Sequence, residues 1–192
     1  MKKQTSNIDD KIEELRNTYY QNNSKNVLFK KKQKNDCANI ISQNINLQEL
    51  LQHTFIVNEN IIIFRYTIFK TFASNENQKY ILQYFSNILI HLINTYSSFI
   101  MHIDMNTYTI SAHERYKDWY SKFFQICCDK DIQFSNHLQY LHCYNTPTLI
   151  NNLQSFFNSF IDKNAQSKIT LFNKEESIGK IENILKNNNI NN

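Results

Sequence analysis

The chain has 192 residues, of which 41% are hydrophobic and 14% aromatic, enough for one domain with a packed core. Its 21 Lys and Arg exceed its 17 Asp and Glu, a net charge of +4 that is too small to indicate a nucleic-acid binder. The single glycine, Gly179, excludes the P-loop, the dinucleotide fingerprint, the kinase glycine loop and the nucleophile elbow, because each needs several glycines.

The first 45 residues are polar and are predicted to form a partly helical N-terminal extension. Apolar residues at helical spacing predict a short amphipathic helix over 9–20. A basic tract follows, made of Lys30, Lys31, Lys32 and Lys34. This tract is either a solvated linker or a contact with the head groups of anionic lipids.

From residue 46 the pattern switches repeatedly between the apolar spacing of strands and that of helices. Strands are predicted over 54–57, 61–69, 98–105, 137–144 and 168–172. Helices are predicted over 46–52, after a cap at Ser74, after a capping box at Ser111, over 148–161 and over 175–185. This order predicts an α/β fold with a mixed, largely parallel sheet flanked by helices. Residues 46–186 are then one domain, and the asparagine-rich residues 187–192 a disordered tail.

The sequence shows no signal peptide and no apolar run long enough to cross a bilayer. Its cysteines lack metal-site spacing, and the vicinal pair is a poor disulfide; they are Cys37, Cys127, Cys128 and Cys143. Free thiols indicate a reducing compartment. We therefore expect a cytoplasmic protein, with peripheral attachment to a membrane left open by the basic tract.

Residues of metal-ligand type fall on two strands that are predicted to be neighbours: His102, Asp104, His142 and Cys143. Their spacing matches no known metal motif, so we expect a hydrogen-bonded set without a metal. Ser111 and His113 near Asp104 invite comparison with a catalytic triad. A helix cap explains Ser111 better, and no catalytic residue is expected.

Several short elements of the second half resemble the CRAL-TRIO, or Sec14-like, lipid-binding domain. Residues 98–105 resemble its central strand, which typically ends in an aspartate, here Asp104. Asn145 and Pro147 resemble its Asn-x-Pro element, and Lys168 with Ile169 resembles the Lys-Ile strand that follows. A serine cap at residue 111 and a Phe-Leu-Asp-like step at 160–162 complete the series. The resemblance extends over roughly residues 54–186 and implies the Sec14-like fold.

Two departures from the family pattern indicate a compact, divergent form. The helical domain that usually precedes the lipid-binding domain is shortened to about one helix. The family's tyrosine-proline-glutamate element is replaced by residues 134–137, Phe-Ser-Asn-His. The chain is in this respect closer to the branch found beside Rho GTPase-activating and BCH-type modules.

In the family, the helix after Asn-x-Pro is a mobile gate over a hydrophobic pocket, which places the gate at 148–161 in this chain. The resemblance implies that sheet and gate residues contact the ligand; these are Met101, Ile103, Leu149, Leu153, Phe156, Phe157 and Phe160. A fatty chain needs wide apolar walls, which such residues provide. Ordinary packing on the sheet explains the same phenylalanines equally well.

The resemblance implies a non-catalytic protein that binds a lipid and transfers it at membrane surfaces. It implies no cofactor beyond a bound phospholipid or other lipid, and no nucleic-acid partner. The alternative is a protein-interaction module, BCH-like, that contacts a small GTPase or another signalling protein. In that case the pocket is filled by the protein's own rings, for which 14 Phe and 11 Tyr are available.

Overall fold

The computed structural model describes residues 8–23, 29–127, 133–147 and 163–187. The strands in these ranges are β1 (Phe55–Asn58), β2 (Ile61–Arg65), β3 (Phe99–Asp104), β4 (Leu138–Thr146) and β5 (Ile169–Asn173). The helices there are α1 (Ile8–Asn22), α2 (Lys30–Asn44), α3 (Leu47–Thr54), α4 (Tyr66–Phe72), α5 (Gln78–Tyr96), α6 (Ile110–Cys127), α7 (Phe134–His137), α8 (Lys163–Ser167) and α9 (Lys180–Asn187). The alternation of strand and helix confirms the predicted α/β class.

The five strands form one sheet in the order β1-β2-β3-β4-β5. β1 and β2 form an antiparallel hairpin, and β2, β3, β4 and β5 run parallel, which confirms the mixed, largely parallel sheet. Parallel neighbours that follow each other along the chain are joined by right-handed crossovers, and such crossovers lie on one face of the sheet. The connections from β2 to β3 and from β3 to β4 therefore place α5 and α6 on the same face.

Aromatic side chains join α5 and α6 to this helix-covered face of the sheet. Phe85 of α5 stacks on Phe55 of β1 with ring centroids 4.8 Å apart, and on Phe123 of α6 at 5.1 Å. Phe69 of α4 meets the edge of Trp119 of α6 at 5.1 Å. Pairs of this kind contribute about 0.5–1.5 kcal/mol each beyond the area they bury. Together they fix the two long helices relative to the hairpin.

The N-terminal helices belong to the same hydrophobic core. Ile12 of α1, Ile41 of α2 and Leu50 of α3 are all buried in the cluster that contains the sheet residues. Asp9 of α1 also approaches Arg65 of β2, with 3.9 Å between Oδ2 and Nη2. The helix predicted over 9–20 is confirmed as α1.

The strand predicted over 61–69 was wrong in its second half. β2 ends at Arg65, and the chain turns directly into α4, whose buried residues are Tyr66, Ile68, Phe69 and Phe72. The mostly apolar sequence fits a strand or a helix, because short runs of this kind have no distinguishing period. Packing of α4 against α2 and α3 decides in favour of the helix.

The predicted helix starts at Ser74 and Ser111 were also wrong. α5 begins at Gln78, and the buried Asn77 before it accepts a hydrogen bond from the Ser74 N–H and donates one to the Phe72 carbonyl. α6 begins at Ile110, where the Thr109 hydroxyl accepts from the Ala112 N–H at 3.2 Å. The last helix likewise begins later than residue 175, at Lys180.

The basic tract is not a linker. Lys30 begins α2, which buries Cys37, Ala38 and Ile41 at helical spacing against the core. These apolar residues supply the free energy for the helix, and Lys30, Lys31 and Lys32 lie exposed in its first turn. Among the described residues, no helix is long and apolar enough to span a membrane.

Candidate functional site

Two rows of apolar side chains cross the helix-covered face where β3, β4 and β5 lie side by side. Met101 pairs with Leu141, which pairs with Ile169. Two residues further along, Ile103 pairs with Cys143, which pairs with Leu171. Paired residues of neighbouring strands point to the same face, so these six side chains form one continuous surface. We refer to them as the apolar floor.

The apolar floor is only partly covered. Met101 and Cys143 are buried, whereas Ile103, Leu141, Ile169 and Leu171 retain intermediate exposure. Burial in apolar surroundings raises the pKa of the Cys143 thiol to about 12. The surface is thus water-poor at Cys143 and more open toward β5.

α6 lies on the same helix-covered face as the floor, because this helix connects β3 to β4; we refer to its apolar side chains as the α6 wall. Phe123 and Ile126 on α6 are half-buried and pack against the same core as Ile103, Leu141 and Leu171. Trp119, one turn before Phe123, is 8% exposed and stacks on it with centroids 6.3 Å apart. The residues named in the floor and the wall all present apolar groups.

Among the residues predicted to contact a ligand, Met101 and Ile103 lie in the apolar floor. Five others lie outside the described residues, in the gate predicted over 148–161; they are Leu149, Leu153, Phe156, Phe157 and Phe160. Sequence reasoning missed Leu141, Cys143 and Leu171 as floor residues. Their alternation along each strand was visible, but the pairing of β3 with β4 and β5 was needed to place them together.

The residues of the two short motifs meet at the carboxyl ends of β3 and β4. Asp104 Oδ1 accepts a hydrogen bond from Asn145 Nδ2 at 2.8 Å and another from the Asn106 N–H at 2.9 Å. Asn145 has a left-handed backbone with φ of 54°, a conformation that asparagine adopts more readily than most residues. Asp104 therefore holds the loop after β3 and the turn before Pro147, as expected for a carboxylate at a strand end.

The other motif residues have structural contacts at the start and end of β5. Lys168 donates from Nζ to the Ser135 carbonyl at 2.9 Å, which ties β5 to α7. Ile169 is the first residue of β5 and belongs to the apolar floor. The Thr146 hydroxyl donates to the Phe172 carbonyl at 2.8 Å and so joins β4 to β5.

The opposite face of β3, β4 and β5 is aromatic and polar. His102 Nδ1 lies 3.1 Å from the Tyr144 hydroxyl, and His142 Nδ1 lies 3.3 Å from the same oxygen. Tyr144 stacks on Phe172 with centroids 5.1 Å apart, and the Lys180 ammonium sits 3.8 Å from the centre of the Phe172 ring. Burial lowers the pKa of both histidines, that of His102 to about 4. Neutral imidazoles and a phenol thus form a hydrogen-bonded layer beneath the sheet.

His113, which the sequence analysis compared with a triad histidine, contacts two tyrosines. His113 Nδ1 lies 3.2 Å from the Tyr108 hydroxyl, and its ring stacks on Tyr120. Ser111 is exposed on the first turn of α6. Within the described residues, no group of three or more His, Cys, Asp or Glu could hold a metal ion.

The sheet order, the crossover helices and the apolar floor define a layered α/β domain of the Sec14-like kind. The family model of the CRAL/TRIO domain matches residues 56–192, and the chain belongs to that family, a family of lipid-binding domains. The crystal structure of Sfh5 is similar with a TM-score of 0.56 at 12% identity, over 90% of this chain and 67% of that one. At this identity the likeness shows a shared fold. No curated protein sequence matches at a significant level.

Proposed function

We propose that this protein binds a lipid on the apolar floor, without catalysis, and transfers it at membrane surfaces. The observation that supports this most directly is the pair of apolar rows across β3, β4 and β5, in which four of the six side chains remain partly exposed. Membership of the CRAL/TRIO family supports the same class of ligand. The residues from 148 to 162, which connect β4 to α8, supply the remaining wall in this proposal through Leu149, Leu153, Phe156, Phe157 and Phe160.

Transfer of an acyl chain from water to the apolar pocket is enough to retain such a ligand. Each buried methylene contributes about 0.8 kcal/mol, so an acyl chain needs no specific hydrogen bond to stay in place. The described floor and α6 wall supply hydrocarbon and aromatic surface on two sides. Head-group selection then depends on polar residues at the rim of the pocket.

Membrane contact is proposed at the start of α2. Lys30, Lys31 and Lys32 are exposed there, and the neighbouring Phe29 is 59% exposed. Lysines near an anionic surface add about 1 kcal/mol each, and an adjacent aromatic ring suits the head-group region. Lys34 continues the tract on the same helix but is half-buried. Charge reversal at Lys31 and Lys32 should weaken binding to anionic vesicles while leaving bound lipid in place.

Lipid extraction tests the central proposal. The purified full chain is extracted with organic solvent, and the extract is analysed by mass spectrometry beside a fluorescence assay of transfer between vesicles. We expect a lipid at a stoichiometry near one and transfer that depends on protein concentration. An empty extract together with no transfer would contradict lipid binding and favour the protein-interaction module with a filled pocket.

A further inference from the structure

β1 forms one edge of the sheet, and part of its backbone points away from β2. The Ile100 amide donates to the Asn60 carbonyl at 2.8 Å, so even-numbered residues along β2 hydrogen-bond toward β3 and odd-numbered residues toward β1. The β1 partners of these odd-numbered residues are Asn58 and Ile56. Val57 lies between them, and its N–H and C=O are therefore directed outward from the edge of the sheet.

The β1 edge lacks the features that commonly prevent a strand from pairing with another chain. Its sequence, Phe-Ile-Val-Asn, contains no lysine or proline, and its pairing with β2 is continuous in register. The opposite edge strand, β5, is different. Lys168 and Lys174 flank it, and its pairing with β4 shifts register between Cys143 and Thr146. The sheet thus protects one edge and leaves the other open to an added strand.

Apolar side chains are exposed beside the β1 edge. Val57 is 41% exposed and points to the same face of the sheet as Phe55, the face that α5 covers. On α5, the Tyr84 ring lies 6.1 Å from the Phe55 ring. Tyr80, one turn earlier, is 49% exposed, and its hydroxyl donates to Gln48 Oε1 at 3.3 Å. The apolar surface of α5 therefore continues to the open edge.

The hydrogen-bonding groups of the β1 edge are self-complementary. In an antiparallel hydrogen-bonded pair, one residue gives both its N–H and its C=O to the residue directly opposite. Val57 directs both groups outward, whereas the N–H of Phe55 donates to the Leu51 carbonyl of α3. A longer partner strand would find no second outward N–H within β1. Two copies of Val57, related by a two-fold axis, satisfy each other completely.

The charges near the edge suit the same two-fold arrangement. Antiparallel pairing centred on Val57 brings Glu59 of one copy toward His53 of the other, and both residues are exposed. β1 itself carries no charged side chain, so no like charges meet across the pair. A carboxylate facing an imidazole favours this register and disfavours a parallel one.

We propose that two copies of this chain associate as a symmetric dimer in which β1 pairs antiparallel with β1 of the second copy, centred on Val57. The two sheets then form one continuous sheet, and Tyr80 with Tyr84 adds apolar area on one of its faces. Two-fold dimers are the commonest protein assemblies, and strand addition at an open edge is an established mode of association. The contact uses no residue of the apolar floor, so its test is independent of lipid extraction.

The test compares two variants that each place a lysine at an exposed apolar position. Val57→Lys changes the β1 edge, and Ile178→Lys changes the loop after β5, where Ile178 is 81% exposed. Circular dichroism first establishes that both variants fold. Because β1 is short, we expect a weak dimer, and sedimentation velocity of the full chain at about 1–100 μM measures the monomer–dimer equilibrium.

We expect dimers of the wild-type chain within this range. The dissociation constant should rise at least about tenfold in Val57→Lys and change by less than about twofold in Ile178→Lys. A wild-type chain that is monomeric throughout the range overturns the proposal, whichever other strand the edge accepts. Equal effects of the two variants overturn it as well.

Disulfide trapping tests the register of the pair. Opposite residues of a hydrogen-bonded antiparallel pair have Cα atoms about 5.5 Å apart, within the range of a disulfide. Mild oxidation of Val57→Cys should therefore give a covalent dimer on a non-reducing gel, in higher yield than the wild-type chain or Ile178→Cys. Cys37 and Cys143 are buried and contribute little background. Equal yields in the two cysteine variants would contradict pairing centred on Val57.

Discussion

His102 on β3 and Tyr144 on β4 are buried partners, with 3.1 Å between Nδ1 and the hydroxyl oxygen. Burial, and secondarily the charge of His142, lowers the pKa of His102 from 6.5 to about 4. A second imidazole, that of His142, lies 3.3 Å from the same hydroxyl. The folded protein thus favours the neutral form of both imidazoles, those of His102 and His142.

We expect the free energy of unfolding to fall as the pH drops from 6.5 toward 4, because unfolded His102 takes up a proton in this range and folded His102 does not. The unfolded state then binds more protons, and the loss can reach about 3 kcal/mol for a shift of this size. Urea unfolding across the range measures it. His102→Gln should flatten the profile. A profile unchanged in His102→Gln would rule out this explanation.

Asn145 combines a backbone requirement with a hydrogen bond, and two substitutions separate them. Asn145→Ala removes the hydrogen bond to Asp104. Alanine also tolerates the left-handed backbone, with φ of 54°, less well than asparagine does. We expect a cost of about 1–2 kcal/mol from the backbone and about 1 kcal/mol from the bond. Asn145→Gly keeps the conformation, so urea unfolding should show a smaller loss. Equal losses would show that the left-handed turn is not a source of strain.

The sequence predicted the alternation of strands and helices because the long helices and central strands have clear apolar periods. Met101 and Ile103 were predicted as ligand contacts because their strand resembles the central strand of the CRAL-TRIO family. Leu141 and Leu171 could not be, since their place beside Met101 and Ile103 depends on which strands become neighbours. Sheet order follows from crossover geometry and tertiary packing, which local spacing does not encode.

Two features escaped sequence reasoning for different physical reasons. α4 follows β2 without a turn signal, and only its packing on α2 and α3 distinguishes it from a longer strand. Arg115 of α6 donates hydrogen bonds to Asn35 and to the Lys34 carbonyl in the region of the lysine tract, from a distant part of the sequence. The tract itself was recognised, but its interpretation as a linker failed because Ile41 and its buried neighbours make it part of a helix.

Adjacent residues on β5 allow a matched test of the apolar floor. Leu171 lies in the floor, and Thr170 points to the other face and is exposed. Leu171→Trp should fill the proposed pocket and lower the extracted lipid severalfold, because an overpacked cavity has no room for a guest. Thr170→Trp adds a tryptophan at the neighbouring position and should leave the lipid content unchanged. Mass spectrometry of both extracts measures the difference, and equal lipid in the two variants would place the ligand elsewhere.

Trp119 provides a spectroscopic test of the α6 wall, because it is the single tryptophan of the chain. It is 8% exposed, and its indole N–H has no hydrogen-bond partner among the described residues. A phospholipid with brominated acyl chains, loaded into the full chain, should quench its fluorescence, since bromine acts only at short range. Iodide in solution should quench little because the ring is buried. A stoichiometric brominated lipid without quenching would mean that the acyl chain does not pass along α6.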